Sequence, residues 1–209
     1  MATKSRREEN AEATRNALIQ QASKLFAKNG YNNTSLCKIA EQTRATKGAV
    51  YHHFENKEDI FSACYRKQAE EVAAAVGKVE QSDDIWLDTI NQCKVYLDCA
   101  MADDGIGIPI QEAISILGWT NWRKLDEECT MGLLIQTIDK LKAKQLLKPY
   151  TTAILVDAIY GILIHANMSV FTAKNKKQAR DELLQLIQDF LIGVMTKPAR
   201  DKLMAQALS

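Results

Sequence analysis

Paired cysteines, histidine and proline are scarce in this 209-residue chain, and each shortage narrows what it can do. Its five cysteines, Cys37, Cys64, Cys93, Cys99 and Cys129, contain no C-x-x-C pair and no histidine at metal-ligand spacing, which argues against structural zinc or any other metal. Three histidines, no paired carboxylates in an acid/base motif, no nucleophile elbow and no phosphate-cradling Gly-rich loop argue against an enzyme and give no sign of a cofactor. An odd cysteine count, with a charged N-terminal segment that lacks the apolar run of a secretory signal, points to the reducing cytoplasm. There each thiol is expected to act as a small, mostly buried hydrophobe. A single stretch, residues 153–171, approaches the length of a membrane span. Asp157, His165 and Asn167 interrupt it, so the expectation is a buried helix and no membrane partner.

What the chain has in quantity is helical periodicity. Apolar residues recur at three- and four-residue spacing, no convincing alternation of period two appears, and only three prolines interrupt the pattern. The spacing predicts an all-α fold with helices over about 9–28, two short helices within 34–54, and a long fourth helix from 56 to about 79. Further helices are predicted over 85–102, 110–117 and 121–144, with a turn-rich break at 103–109. Two strongly apolar helices, about 151–172 and 177–196, close the pattern. The length suits a small first domain over 1–56, with the start of the fourth helix reaching to about 72, and a larger helical domain over 57–209.

Charge is distributed unevenly between these parts. Residues 1–57 carry 10 Lys and Arg against 5 Asp and Glu, whereas the remainder carries 17 against 21. The basic charge therefore sits in the segment that also has the strongest local pattern, as contact with phosphates requires. In residues 34–57 two short helices meet at a tight turn. Thr34 or Ser35 can cap the first, which turns Leu36, Ile39 and Ala40 to one face. Thr46 can cap the second, with Val50 and Phe54 inward at i, i+4 spacing. A leading turn made of Lys47, Gly48 and Ala49 is small enough to enter a major groove. Base edges and phosphates would then face Thr46, Lys47, Ala49, Tyr51 and His52, with Lys38 and Lys57 also within reach of phosphates. His53 can instead pack against Phe54.

The pattern T-S-x-x-x-I-A followed by T-K-G-A-V-Y-H-H-F-x-N-K-E-x-I resembles the N-terminal domain of the TetR family of bacterial repressors. The upstream run from Leu25 to Tyr31 is similar to the end of that family's first helix, with Gly30 as its stop. The resemblance covers about 60 residues. It implies a three-helix DNA-binding domain containing a helix-turn-helix, followed by a helical ligand-binding and dimerisation domain. It also implies a homodimer that holds a palindromic double-stranded operator until an effector changes the spacing of its two heads. Within it Tyr51 corresponds to a phosphate-contacting tyrosine. Two positions depart from the family: Arg44 stands where the turn usually has glycine, and Cys37 where a polar base reader is frequent. If the backbone at Arg44 takes a positive φ, the side chain is strained by about 1 kcal/mol. Cys37 beside Lys38 raises the idea of a redox-sensitive thiol; an inert one is the default.

Beyond the motif the reading is less specific. Tyr160, Ile164, Asn167 and Phe171 share a helix face, and with Trp86, Tyr96, Trp119, Trp122 and His165 they are candidates to line a pocket for a small apolar or aromatic effector. Aromatics at such spacing also serve as plain core. The apolar stripes of the last two helices, among them Ile159, Leu163, Leu184, Ile187, Leu191 and Val194, are wider than one neighbouring helix covers, which predicts a four-helix bundle shared by two subunits. Internal coverage in a large domain is the alternative. A constitutive dimeric DNA-binding or architectural factor without effector is the competing function, and a cavity in the C-terminal core would separate the two.

Overall fold

The computed structural model describes residues 5–101 and 107–206. Most of the turn-rich break expected at 103–109 lies outside them. Among the described residues all regular structure is helical, apart from a single isolated antiparallel bridge, Leu147 to Met195. Two compact units result, residues 1–69 with 102–126 and residues 70–101 with 127–209.

In the first unit, α1 (Arg6–Asn29) starts earlier than its apolar pattern suggests, because Ser5 and Glu8 cap each other's backbone N–H groups in a reciprocal box. It stops at Gly30, whose φ of 75° suits glycine and whose N–H closes on the Phe26 carbonyl at 2.8 Å. Leu18, Ile19, Ala22 and Phe26 are buried, α1 packing on α2 (Leu36–Thr43), which carries α3 (Lys47–His53), and on the start of α4 (Lys57–Gly77). Edge-to-face rings of Phe26, Tyr31 and Phe61, each about 5.1 Å from Phe61, fill the centre.

The same unit takes in α6 (Ile110–Leu117) and α7 (Trp119–Asp126), which follow α5 (Ile85–Cys99) of the second unit. Two polar ties hold α6 there. The Gln68 carboxamide both donates to and accepts from the Ile108 backbone, at 2.9 and 2.7 Å, and the Glu112 carboxylate accepts the Tyr31 N–H at 2.8 Å. The second of these is charge-assisted and worth more than an ordinary neutral bond.

The second unit packs α5, α8 (Gly132–Ala143), α9 (Thr152–Thr172) and α10 (Lys176–Gly193) around Leu97, Ile138, Leu141, Val170, Ile187 and Leu191. Side-chain caps begin three of them: Asp84 before α5, Thr151 before α9 and Asn175 before α10. The helix expected over 121–144 proves to be two. α7 begins at Trp119 because Gly118, with φ 73°, has already ended α6, and a π-helical turn, Glu127–Met131, separates α7 from α8. One added residue in a turn is invisible to a 3.6-residue periodicity. A further helix, α11 (Lys197–Gln206), follows Thr196 and carries Pro198 in its first turn, where a proline loses no bond.

Candidate nucleic-acid interface and internal cavity

The α2–α3 pair is built by local chemistry. The Ser35 hydroxyl accepts the Lys38 N–H at 3.2 Å, and the Thr46 hydroxyl accepts the Ala49 N–H at 3.1 Å, so both helices start on side-chain caps. Between them Arg44 adopts φ 53° and ψ 28°, the left-handed conformation that its place in the turn demands. Ile39, Ala40, Val50 and Phe54 are buried and anchor both helices. The opposite face consequently presents Lys38, Lys47, Gly48, Tyr51 and His52 to solvent, with the Lys47 ammonium 5.9 Å from the centre of the Tyr51 ring. Ala49 is half-buried beside them. A Cβ added to Gly48 would meet nothing closer than the Thr46 hydroxyl at 3.8 Å, so no neighbour inside the unit requires glycine there.

Three expected contacts are placed otherwise. Thr34 is only 1% exposed and its hydroxyl donates to the Leu25 and Gly30 carbonyls, which takes it off the surface. Ser35 stays at the surface with its hydroxyl engaged as a cap. The Lys57 ammonium donates to the Tyr31 carbonyl at 3.0 Å and lies 4.0 Å from the centre of the Tyr31 ring, which makes it part of the unit's own framework. Burial, then the Glu58 charge, pushes the Tyr31 hydroxyl above its ordinary range. His53 packs beside His52 and Phe54, with the Arg15 guanidinium over the Phe54 ring at 5.1 Å. Burial first, then the charges of His52 and Arg15, hold its imidazole below the usual value. Cys37 is exposed, while burial raises the Cys64 thiol to about 12.

The second unit holds a cavity of about 90 Å³, partly open to solvent and several times the roughly 10–15 Å³ that admits one water. Val72 and Val76, Thr89, Gln92, Cys93 and Tyr96, Thr130 and Met131 of the π-helical turn, Leu134 and Thr137, and Ile159, Tyr160 and Leu163 line it. Among the expected pocket residues, the structure therefore brings Tyr96 and Tyr160 together and leaves the rest out. Trp119, 53% exposed, and the fully buried Trp122 belong to the first unit, where Trp122 packs near Tyr65. Trp86 packs on the core, Ile164 is buried away from the cavity, His165 is exposed, and Asn167 and Phe171 are half-buried. Burial of Cys93 pushes its thiol to about 12, so the lining is neutral throughout. Sequence reasoning missed the α4 and α8 contributors and all of those on α5 except Tyr96, because a void among five helices leaves no periodic mark on any one of them.

The stripes of α9 and α10 also divide differently from expectation. Ile159, Ile187 and Leu191 lie in the core of their own chain, with Leu163, Leu184 and Val194 half-buried against it. The large apolar side chains left outside are Ile154, 61% exposed, Leu186, 59%, and Phe190, 36%. α9 is long and apolar enough to cross a membrane by length and composition, and only 33% of that window is buried within the chain.

Residues 18–64 match the profile of bacterial regulatory proteins of the tetR family, and residues 86–194 match a tetracyclin repressor-like C-terminal domain. The transposon Tn10 TetC protein of Escherichia coli is 28% identical over 94% of this chain and 100% of its own length. A TetR-family transcriptional regulator of Pectobacterium atrosepticum has a similar fold, with a TM-score of 0.74 at 24% identity, covering 93% of this chain and 99% of that one. A regulator from Saccharomonospora viridis solved in complex with choline is also similar in fold, with a TM-score of 0.69 at 16% identity over 89% of this chain and 100% of that one.

Proposed function

This chain belongs to the TetR family of bacterial regulatory proteins, and from that premise we propose that it is a ligand-responsive repressor acting as a homodimer on a palindromic operator. As a member it is a DNA-binding transcriptional regulator and not an enzyme. The observation that carries ligand response is the neutral cavity in the second unit, because a constitutive factor has no use for a void among five helices. Cavity-lining Val72 and Val76 stand on α4, the helix that begins beside α3 in sequence. An effector that repositions α4 changes the separation of two recognition helices. These must sit about 34–36 Å apart to enter successive major grooves.

In this reading Lys38, Lys47, Tyr51 and His52 meet the duplex, Gly48 and Ala49 allow α3 to approach base edges, and Thr46 and Ser35 fix the helix starts. The functional division falls at residues 56 and 57, with α4 serving as connection. Dimerisation uses the exposed apolar side chains of α9 and α10, since a surface helix with most of its apolar window uncovered needs a partner. Such a protein works in the cytoplasm, where its operator is.

Selecting bound fragments from the source genome, then screening compounds that release them, tests the whole proposal. A released palindrome establishes it. An operator that no cavity-filling compound releases favours the constitutive factor. Reciprocity supplies a second check, because an effector that weakens DNA binding must itself be weakened by saturating operator by the same factor, with a coupling of typically 1–3 kcal/mol.

A further inference from the structure

The cavity has an antechamber. A second hollow of about 320 Å³ in the same unit shares Thr89, Gln92 and Thr137 with the first, and adds Gln81, Ser82, Asp88, Lys140 and Lys144. The two differ in chemistry. The inner one has no ionisable carboxylate, amine or imidazole in its wall, whereas the outer one carries two lysines and an aspartate. The Asp88 carboxylate is already engaged, accepting the Ser82 N–H at 2.9 Å and the Ser82 hydroxyl at 2.8 Å. Lys140 donates to the exposed Gln81 carboxamide at 3.0 Å, and Lys144 is exposed. Between the hollows, the Thr137 hydroxyl donates to the Gln92 side-chain carboxamide oxygen at 2.9 Å, joining α8 to α5.

From this polarity gradient we infer that the effector is amphipathic, with an uncharged apolar body in the inner cavity and an anionic head, such as a carboxylate, held in the outer hollow by Lys140 and Lys144. The inference rests on the ligand-responsive reading and specifies its ligand. A charge carried into the inner cavity would be stripped of water with no counter-charge in the wall, so the head is confined to the hollow where cations are present. A purely apolar ligand would leave the outer hollow unused. A cation would meet two lysines against one aspartate that already has its partners. The Gln92 side-chain NH₂ is a donor at the boundary, free to donate to a ligand oxygen while its Oε1 keeps the Thr137 bond.

The test uses the full-length protein and three probes of one chain length: octanoate, 1-octanol and octylammonium, titrated calorimetrically and then tried for release of the selected operator. Octanoate is expected to bind up to about tenfold tighter than the alcohol, the range open to two solvent-exposed ion pairs, with the ammonium weakest. In K140A/K144A the acid and the alcohol are expected to bind within about twofold of each other, with the melting temperature and the alcohol affinity unchanged. Equal binding of acid and alcohol to the unaltered protein, a preference that survives in the double variant, or binding of none of the three overturns the inference. A lysine-dependent preference for octanoate without operator release upholds the ligand class and counts against the effector reading instead. Release by the alcohol as readily as by the acid does the reverse.

Discussion

The two units of this protein are specified at different ranges. In the first, each feature of the proposed DNA-facing surface follows from neighbours in sequence: Thr46 caps the helix that Val50 and Phe54 anchor, and the remaining face has nowhere to point but outward. In the second, the proposed functional feature is a place where five helices and a π-helical turn fail to meet. A surface made of local rules survives substitution of its neighbours as long as the caps and anchors remain. A void depends on every element around it.

The sharpest contrast lies within one helix of the second unit, between side chains that face its core and side chains that do not. L186E/F190E is expected to separate the proposed dimer while leaving each chain folded, since both positions are exposed in the single chain and the charges would be buried only on association, at several kcal/mol each. Ile187→Glu, one residue away but 2% exposed, is expected to unfold the unit. Sedimentation with helicity measured in parallel distinguishes them. A folded dimer in the double variant would move the interface away from α10.

In the first unit the comparison is between two lysines that look alike in sequence. Lys57→Ala removes a charge-assisted bond to the Tyr31 carbonyl and a cation over the Tyr31 ring, and is expected to cost about 1–2 kcal/mol of stability by denaturant titration. Lys38→Ala touches no such partner. It is expected to leave stability unchanged and to make the salt dependence of operator binding shallower by roughly one unit for each lysine lost. If Lys57→Ala lowered the slope without lowering stability, the assignment of Lys57 to the framework would be wrong.

These two lysines also mark what could be read from the chain alone. The helix-turn-helix, its caps, its inward residues and the strained backbone at Arg44 were legible, because each depends on residues at most a few positions apart. The Ser5 and Glu8 box was missed, because the apolar pattern places the start of α1 at about residue 9, although a serine followed three residues later by glutamate carried the signal. The fate of the Lys57 ammonium depends on Tyr31, 26 positions back, and that of Thr34 on the carbonyls of Leu25 and Gly30. The apolar surfaces of α9 and α10 were visible, yet which residues face the chain's own core depended on α5 and α8. The cavity was least legible of all.

Arg44 offers a smaller effect in the same unit. Replacing it by glycine relieves a left-handed conformation that costs a non-glycine residue about 1 kcal/mol or more, offset in part by the greater freedom of glycine in the unfolded chain. Arg44→Gly is expected to raise stability by about 0.5–1 kcal/mol, whereas Arg44→Ala, which keeps the strain, is not. A stabilisation shared by both variants would point to relief of charge repulsion instead of backbone strain.

The smallest expected effect is a pH dependence confined to the first unit. His53 has its imidazole held below the ordinary 6.5 by burial and by the charges of His52 and Arg15, so the unfolded chain takes up a proton before the folded one does. The stability this contributes is fully present above pH 6.5 and is lost as pH falls below that value through the folded-state one. Because the ring is only half-buried, solvent screens much of the effect, and the loss is expected to be modest. His53→Gln removes the titration, so the melting temperatures of the two proteins, followed from about pH 7.5 down to about 5.5, should draw together as the acid end is approached. The neutral inner cavity, with Cys93 protonated throughout, contributes nothing over that range. If the gap stays constant across the whole interval, the acid sensitivity belongs to other groups and His53 is only a packing residue.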